Sequence, residues 1–145
     1  MGFELFVHAV RDGKPFYYAR SIAEEIFNRD AIDPSTPLTN VEYADGMAEI
    51  FGADKDPMDG IMLAHFSGRT VLERAFELAV KTGSIIVWPG SPPWAVPDLA
   101  VIGHLPGDPT ENKAQFVAVS DVDELIRIIK ASLDAAYDKY RRGRR

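Results

Sequence analysis

The chain has 145 residues, of which 46% are hydrophobic and 26% charged, with no cysteine and a formal net charge of −6 at pH 7. This length suits one domain that folds without a disulfide or a metal, and the lack of cysteine excludes thiol nucleophiles and cysteine zinc sites. No apolar run approaches ~18 residues and no secretory signal is visible at the start, so we expect a cytoplasmic protein that does not enter a membrane.

The first third of the chain contains signals for a strand, a tight turn and a helix. Apolar residues alternate over Phe3–Val10, which predicts a strand with one buried face. The Asp-Gly pair at residues 12–13 is typical of a hairpin turn. Ser21 and Glu24 form a capping box, in which each side chain accepts from a free backbone N–H group, and they predict a helix that ends near Asn28.

The middle of the chain predicts a second hairpin, a strand and a longer helix. The hairpin covers Val41–Phe51, and an exposed loop follows over residues 52–60. Ile61–Phe66 is predicted to be a strand. A second capping box begins at Thr70 and opens a helix that stops at Gly83, a residue typical of a helix C-terminus.

The last third combines two strands, a proline-rich segment and a long helix. Ser84–Trp88 is a continuous apolar run that predicts a central strand, and Phe116–Val119 predicts a last short one. Residues 89–113 contain six prolines, so we predict a long irregular loop with one helical turn near Asp98–Ile102. The final helix is predicted to bury a stripe at helical spacing: Val122, Ile126, Ile129, Leu133 and Tyr140.

These elements predict one α+β domain over residues 1–140. Its architecture is a mostly antiparallel sheet of about five or six strands, with helices packed on it and a long proline-rich loop. Residues 141–145 carry four arginines and are predicted to be a basic, disordered tail, because charged residues beyond a helix end usually remain solvated.

Acidic residues are concentrated between residues 24 and 59, where ten acids stand against two bases. Alternate residues of a hairpin share a face, so Glu42 and Glu49 point outward if their neighbours are buried. Together with aspartates of the next loop they predict a partner-binding surface: Glu42, Glu49, Asp54, Asp56 and Asp59. Lys55 is the one cation among them in sequence. Such a surface repels nucleic acid and attracts a basic protein, although solubility alone is the simpler interpretation.

The histidines give little support to an enzyme. His65 and Ser67 have the H-x-S form of two-histidine phosphoesterases, which need a second such motif, and the residues around His8 do not supply it. The aspartates of residues 54–59 lack the spacing of a calcium loop. We therefore predict no catalytic residue, no metal and no cofactor. The alternative is a small hydrolase that uses His65 or His104 with a nearby carboxylate.

Two tryptophans flank a proline-rich stretch and raise a different possibility. Trp88 and Trp94, with His104 further along, could form the walls of a ligand groove, which would make the protein a ligand-binding regulatory domain. The competing interpretation is that these aromatic side chains hold a long loop against the core.

Short motifs along most of the chain resemble a group of small, mostly uncharacterised bacterial proteins that open F-E-L-x-V and continue to a D/N-G-x-P turn. The matching segments are Gly2–Val7, Asp12–Pro15, Ile26-Phe27, Val41–Gly46, Arg69–Gly83, Ile85–Gly90, Leu105–Asp108 and Val119-Ser120. Members with an assigned role are immunity proteins that neutralise a toxin, which implies a protein-binding function and carries over no catalytic residue. The function that we expect is therefore a non-enzymatic immunity protein whose acidic face binds a basic toxin.

Overall fold

The computed structural model describes residues 3–143, with side chains described up to Ala135. These residues form eight strands and five helices. The strands are β1 (Leu5–Arg11), β2 (Lys14–Pro15), β3 (Asn40–Tyr43), β4 (Gly46–Phe51), β5 (Gly60–Ala64), β6 (Ser84–Val87), β7 (Trp94–Val96) and β8 (Phe116–Ala118). The helices are α1 (Arg20–Asn28), α2 (Arg69–Thr82), α3 (Leu99–Ile102), α4 (Pro109–Gln115) and α5 (Val122–Gly143).

The strands form a single mixed sheet in the order β3-β4-β5-β1-β6-β7-β8, and β2 pairs with β1 as a short hairpin arm. Every pairing is antiparallel except that of β7 with β8, which is parallel. The α+β class is thereby confirmed. The expected number of five or six strands is too low, because the three residues of β7 lie in the segment predicted as an irregular loop. A short strand was expected to return after the Asp12-Gly13 turn at residues 16–18, and β2 returns there earlier, at Lys14–Pro15.

The two faces of the sheet carry different helices. Leu5, Val7 and Ala9 of β1 point into the main core, which they share with buried residues of α1, α2 and α5. The next residue of β1, Val10, points to the opposite face, where it packs with Val96 of β7 and with buried residues of α3. The second face is therefore covered near β7 and β8, and no described helix covers it over β4, β5 and the first part of β1.

The starts of α1 and α2 differ from the prediction. Neither helix has a side-chain cap from a neighbouring residue, so both predicted capping boxes are wrong. The carboxylate of Asp56 accepts from the backbone N–H of Arg20 at 3.1 Å, and that of Asp45 accepts from Thr70 N–H at 3.0 Å. Aspartates that are distant in sequence thus take the place of the local caps. The hydrogen bonds from Thr70 lower the pKa of Asp45 below its ordinary value.

The buried face of α5 is also shifted relative to the prediction. Leu125 and Ile129 are buried in the main core, whereas Ile126 is half-exposed. On the same side of the helix the hydroxyl of Ser132 accepts a hydrogen bond from the indole N–H of Trp88 at 2.9 Å, which connects this face of α5 to the end of β6. The backbone of α5 continues to Gly143. The basic tail predicted to be disordered is residues 141–145. Residues 144–145 and the side chains of 141–143 lie outside the described part of the chain.

The proline-rich segment is more regular than predicted. The helical turn expected near residues 98–102 is confirmed as α3, whose start is capped by the carboxylate of Asp98. The segment also contains β7 and most of α4, where Asp108 caps the helix and Pro109 occupies its first turn. The prediction of one long irregular loop was therefore wrong for these two elements.

Candidate functional site

The uncovered part of the second sheet face presents a row of apolar side chains. Phe51 of β4 lies opposite Met62 of β5, Met62 lies opposite Phe6 of β1, and Phe6 lies opposite Val87 of β6. Met47 lies four residues before Phe51 in β4, on the same face of the strand, and is the fifth member of this group. We call these five residues the open face. Residues directly opposite one another across strands have neighbouring side chains, so Phe51, Met62, Phe6 and Val87 form a continuous row. Glu49 lies between this row and Met47 on the same face of β4.

The open face is apolar and accessible. Phe6 is 39% exposed, Met47 45% and Phe51 50%, which is high for side chains of this size in the middle of a sheet. A shallow depression of about 460 Å³ lies over Phe6, Phe51, Met62 and Val87, with His8 and Asp59 at its margin. Contiguous exposed apolar patches of this kind mark binding surfaces more often than isolated exposed apolar residues do.

Four of the five predicted acidic site residues lie around the open face. The predicted alternation in the hairpin is confirmed, since Val41 and Ile50 are buried while Glu42 is exposed and Glu49 half-exposed. Asp59 lines the depression together with Phe6. Asp54 lines an adjoining depression that also contains Glu49 and Phe51.

The fifth residue, Asp56, is engaged elsewhere. Its carboxylate caps α1, and α1 packs on the opposite side of the sheet. The prediction placed all five carboxylates in one region because the 52–60 loop directly follows the hairpin in the sequence. The structure shows that consecutive aspartates of this loop, Asp54, Asp56 and Asp59, contact different parts of the protein.

Histidines lie beside two of the four carboxylates around the open face. His65 Nδ1 is 3.2 Å from a carboxylate oxygen of Glu49, and His8 Nε2 is 4.0 Å from Asp59. Lys55 is therefore not the only group that can offset the negative charge of this region, because a protonated histidine does so as well.

Two ion pairs join the end of α1 to α2 on the helical side of the sheet, and one of them uses an acid of the 24–59 segment. Arg74, only 12% exposed, lies 3.1 Å from Asp30, and Arg29 binds Glu77 of α2. The buried hydroxyl of Tyr43 donates to the carbonyl of Phe27, and burial raises the pKa of Tyr43 to about 12. The ion pairs connect the end of α1 to α2, and the Tyr43 hydroxyl connects α1 to β3, so Asp30 has a structural role.

Among the described side chains, the histidines lie beside carboxylates and not beside hydroxyl groups. Within the described residues, each histidine contacts a carboxylate, and none hydrogen-bonds to a serine or threonine hydroxyl. His65 lies just after β5 with a φ of +48°. The described part of the chain also contains no group of three or more histidines and acids that could hold a metal ion.

The predicted tryptophan groove is not formed. Trp88 is 3% exposed and donates to Ser132, while Trp94 donates to the carbonyl of Trp88 and packs on Phe116 with ring centroids 5.9 Å apart. His104 lies instead beside the β1–β2 turn, where its Nδ1 accepts from the N–H of Asp12. The two tryptophans thus hold the proline-rich segment against the core, as the competing interpretation proposed.

None of the helices in residues 3–143 is both long and apolar enough to cross a membrane. Comparison with protein-family models, with curated proteins and with solved structures found no significant match.

Proposed function

We propose that this protein is a non-enzymatic protein-binding domain, and that its partner docks on the open face. The observation that carries the proposal is the apolar row across four strands with carboxylates on its rim. Protein interfaces have this organisation: a central group of aromatic and aliphatic side chains that loses its water on binding, and a polar rim that stays hydrated. Phe6 and Phe51 are the central anchors, and Glu42, Glu49, Asp54 and Asp59 form the rim.

The charge of the rim favours a basic partner. Four carboxylates around one apolar patch attract a surface in which lysines and arginines surround exposed apolar side chains. A second copy of this chain is a poorer occupant. In a two-fold symmetric dimer the same patch meets itself, so the two acidic rims would lie against each other and repel.

The most concrete form of the proposal is an immunity protein that neutralises a basic bacterial toxin in the cytoplasm. Two points support it: the resemblance of the chain's short motifs to such proteins, and the suitability of an acidic, apolar-centred face for covering a cationic surface. Electrostatic attraction of this kind raises association rates by ~10–10³-fold at low salt, which suits a protein that must capture its partner quickly.

The test is affinity capture from the native host with immobilised protein, followed by identification of the captured protein. Wild type is compared with Phe51→Ser, which removes an anchor, and with the double reversal Glu49→Lys/Asp59→Lys. Leu99→Ser and Glu111→Lys are matched controls, because Leu99 and Glu111 are exposed residues of α3 and α4 outside the open face. We expect a basic protein that wild type and both controls retain and that the open-face variants lose. Equal retention by the open-face variants would overturn the proposal.

A further inference from the structure

A cavity of about 580 Å³ at one end of the sheet is lined by basic side chains, whereas the open face is apolar with acidic residues around it. It lies between the β1–β2 hairpin, the C-terminal end of α2 and the residues around α3. We call it the cationic cleft, because Arg11, Lys81 and His104 line it from these three elements. A volume of this size is typical of sites for small organic ligands.

The cations of the cleft are available to a ligand. Within the described residues neither Arg11 nor Lys81 forms an ion pair with an acid. The guanidinium of Arg11 lies over the ring of Phe16, 4.0 Å from its centroid. Stacking of this kind fixes the plane of the guanidinium, and its N–H groups remain free to bind a carboxylate with two hydrogen bonds.

His104 lines the cleft beside the β1–β2 turn. Its Nδ1 accepts a hydrogen bond from the backbone N–H of Asp12 at 3.2 Å and lies 3.5 Å from the carboxylate of the same residue. The side chain of His104 is 41% exposed. Because Asp12 engages His104, Arg11 and Lys81 are the two basic side chains of the cleft that a ligand can use.

Negative groups of the cleft are already engaged. The carboxylate of Asp98 caps α3 by accepting from Ala100 N–H at 2.8 Å. At the end of α2, where backbone carbonyls carry partial negative charge, Gly83 N–H donates to the carbonyl of Ala79 and the Thr82 hydroxyl donates to that of Leu78. These contacts reduce the repulsion that an anion would meet.

The remaining walls are apolar. Phe16, Tyr17, Ile22 and Val80 line the cleft, and Tyr17 and Val80 are each 57% exposed. We propose that the cationic cleft binds a small organic anion: a carboxylate held by Arg11 and Lys81, on an apolar body that packs against these side chains. This site is separate from the open face and does not depend on the proposed partner.

The test uses benzoate as the probe and follows backbone amide resonances of the full chain at constant ionic strength. We expect saturable shifts of the amides of Gly13, Gly83 and Gly103, at the β1–β2 turn and the ends of α2 and α3. Arg11→Gln and Lys81→Gln should each weaken benzoate roughly five- to tenfold, in line with the loss of a charge-assisted contact at a partly exposed site. Lys130→Gln, at an exposed lysine of α5 outside the cleft, is the matched control and should bind as wild type does.

Two further probes test separately whether the ligand needs its negative charge and its apolar body. Benzyl alcohol has a similar apolar body without the charge, and inorganic phosphate has the charge without the body. Benzoate should bind at least roughly tenfold more tightly than either, because charge-assisted and apolar contacts act together. Equal binding of benzyl alcohol or phosphate would overturn the ligand class. The absence of saturable shifts, or unchanged benzoate affinity in both Gln variants, would overturn the site.

Discussion

The carboxylate of Asp56 accepts a hydrogen bond from the backbone N–H of Arg20, so a loop before β5 holds the first turn of α1. This contact removes Asp56 from the acidic rim and gives it a structural role. Its neighbour Asp54 is exposed and forms no hydrogen bond to another described residue through its side chain. The two aspartates, two positions apart, therefore have different functions.

Replacing Asp56 by alanine should lower the free energy of unfolding by about 1 kcal/mol, the usual cost of losing a helix cap. Asp54→Ala, in the same loop, is the matched control and should change it by less than about 0.5 kcal/mol. Urea denaturation of both variants measures the difference. Equal stability of the two would show that the contact to Arg20 contributes nothing.

Asp45 should make stability depend on pH in a defined direction. Its pKa is lowered from 3.8 by hydrogen bonds from Thr70, so the ionised form is favoured in the folded state. The stabilisation is fully present above the unfolded pKa and is lost as the pH falls through the folded pKa. The stability difference between wild type and Asp45→Ala should therefore be constant near neutral pH and shrink in acid. A difference that grows below pH 3.8 would contradict this assignment.

The buried face of α5 can be tested with two adjacent residues. Leu125 has 0% exposure, so Leu125→Ala should cost ~2–5 kcal/mol through lost burial and the cavity left behind. Ile126 is half-exposed, and Ile126→Ala should cost clearly less. Thermal unfolding of the two variants decides between the observed face and the face predicted from the sequence; a larger loss for Ile126→Ala would favour the latter.

Local patterns were sufficient to predict much of the fold. The second hairpin was predicted correctly because alternation of apolar residues and an Asp-Gly turn act over neighbouring residues, and Gly83 ends α2 as expected. By contrast, β7 has three residues and α4 buries no side chain, so neither produces a periodic apolar pattern. The caps of α1 and α2 were missed because they join residues 36 and 25 positions apart.

The candidate site was predictable only in part. The acidic rim is visible in the sequence, because its residues are close together in the chain. The apolar centre is not visible, because Phe6, Phe51, Met62 and Val87 come from four strands and become neighbours only through the register of the sheet. Alternation within each strand shows at most that Phe6 and Phe51 point away from the buried face of their own strand.

The central claim is that the open face binds a basic protein, and binding kinetics with the purified partner test it most directly. The association rate of wild type should fall steeply with ionic strength. Glu49→Lys/Asp59→Lys should lower that rate and flatten its salt dependence, whereas Phe51→Ser should mainly raise the dissociation rate. Unchanged association and dissociation rates in both variants would contradict the assignment of the binding surface to the open face.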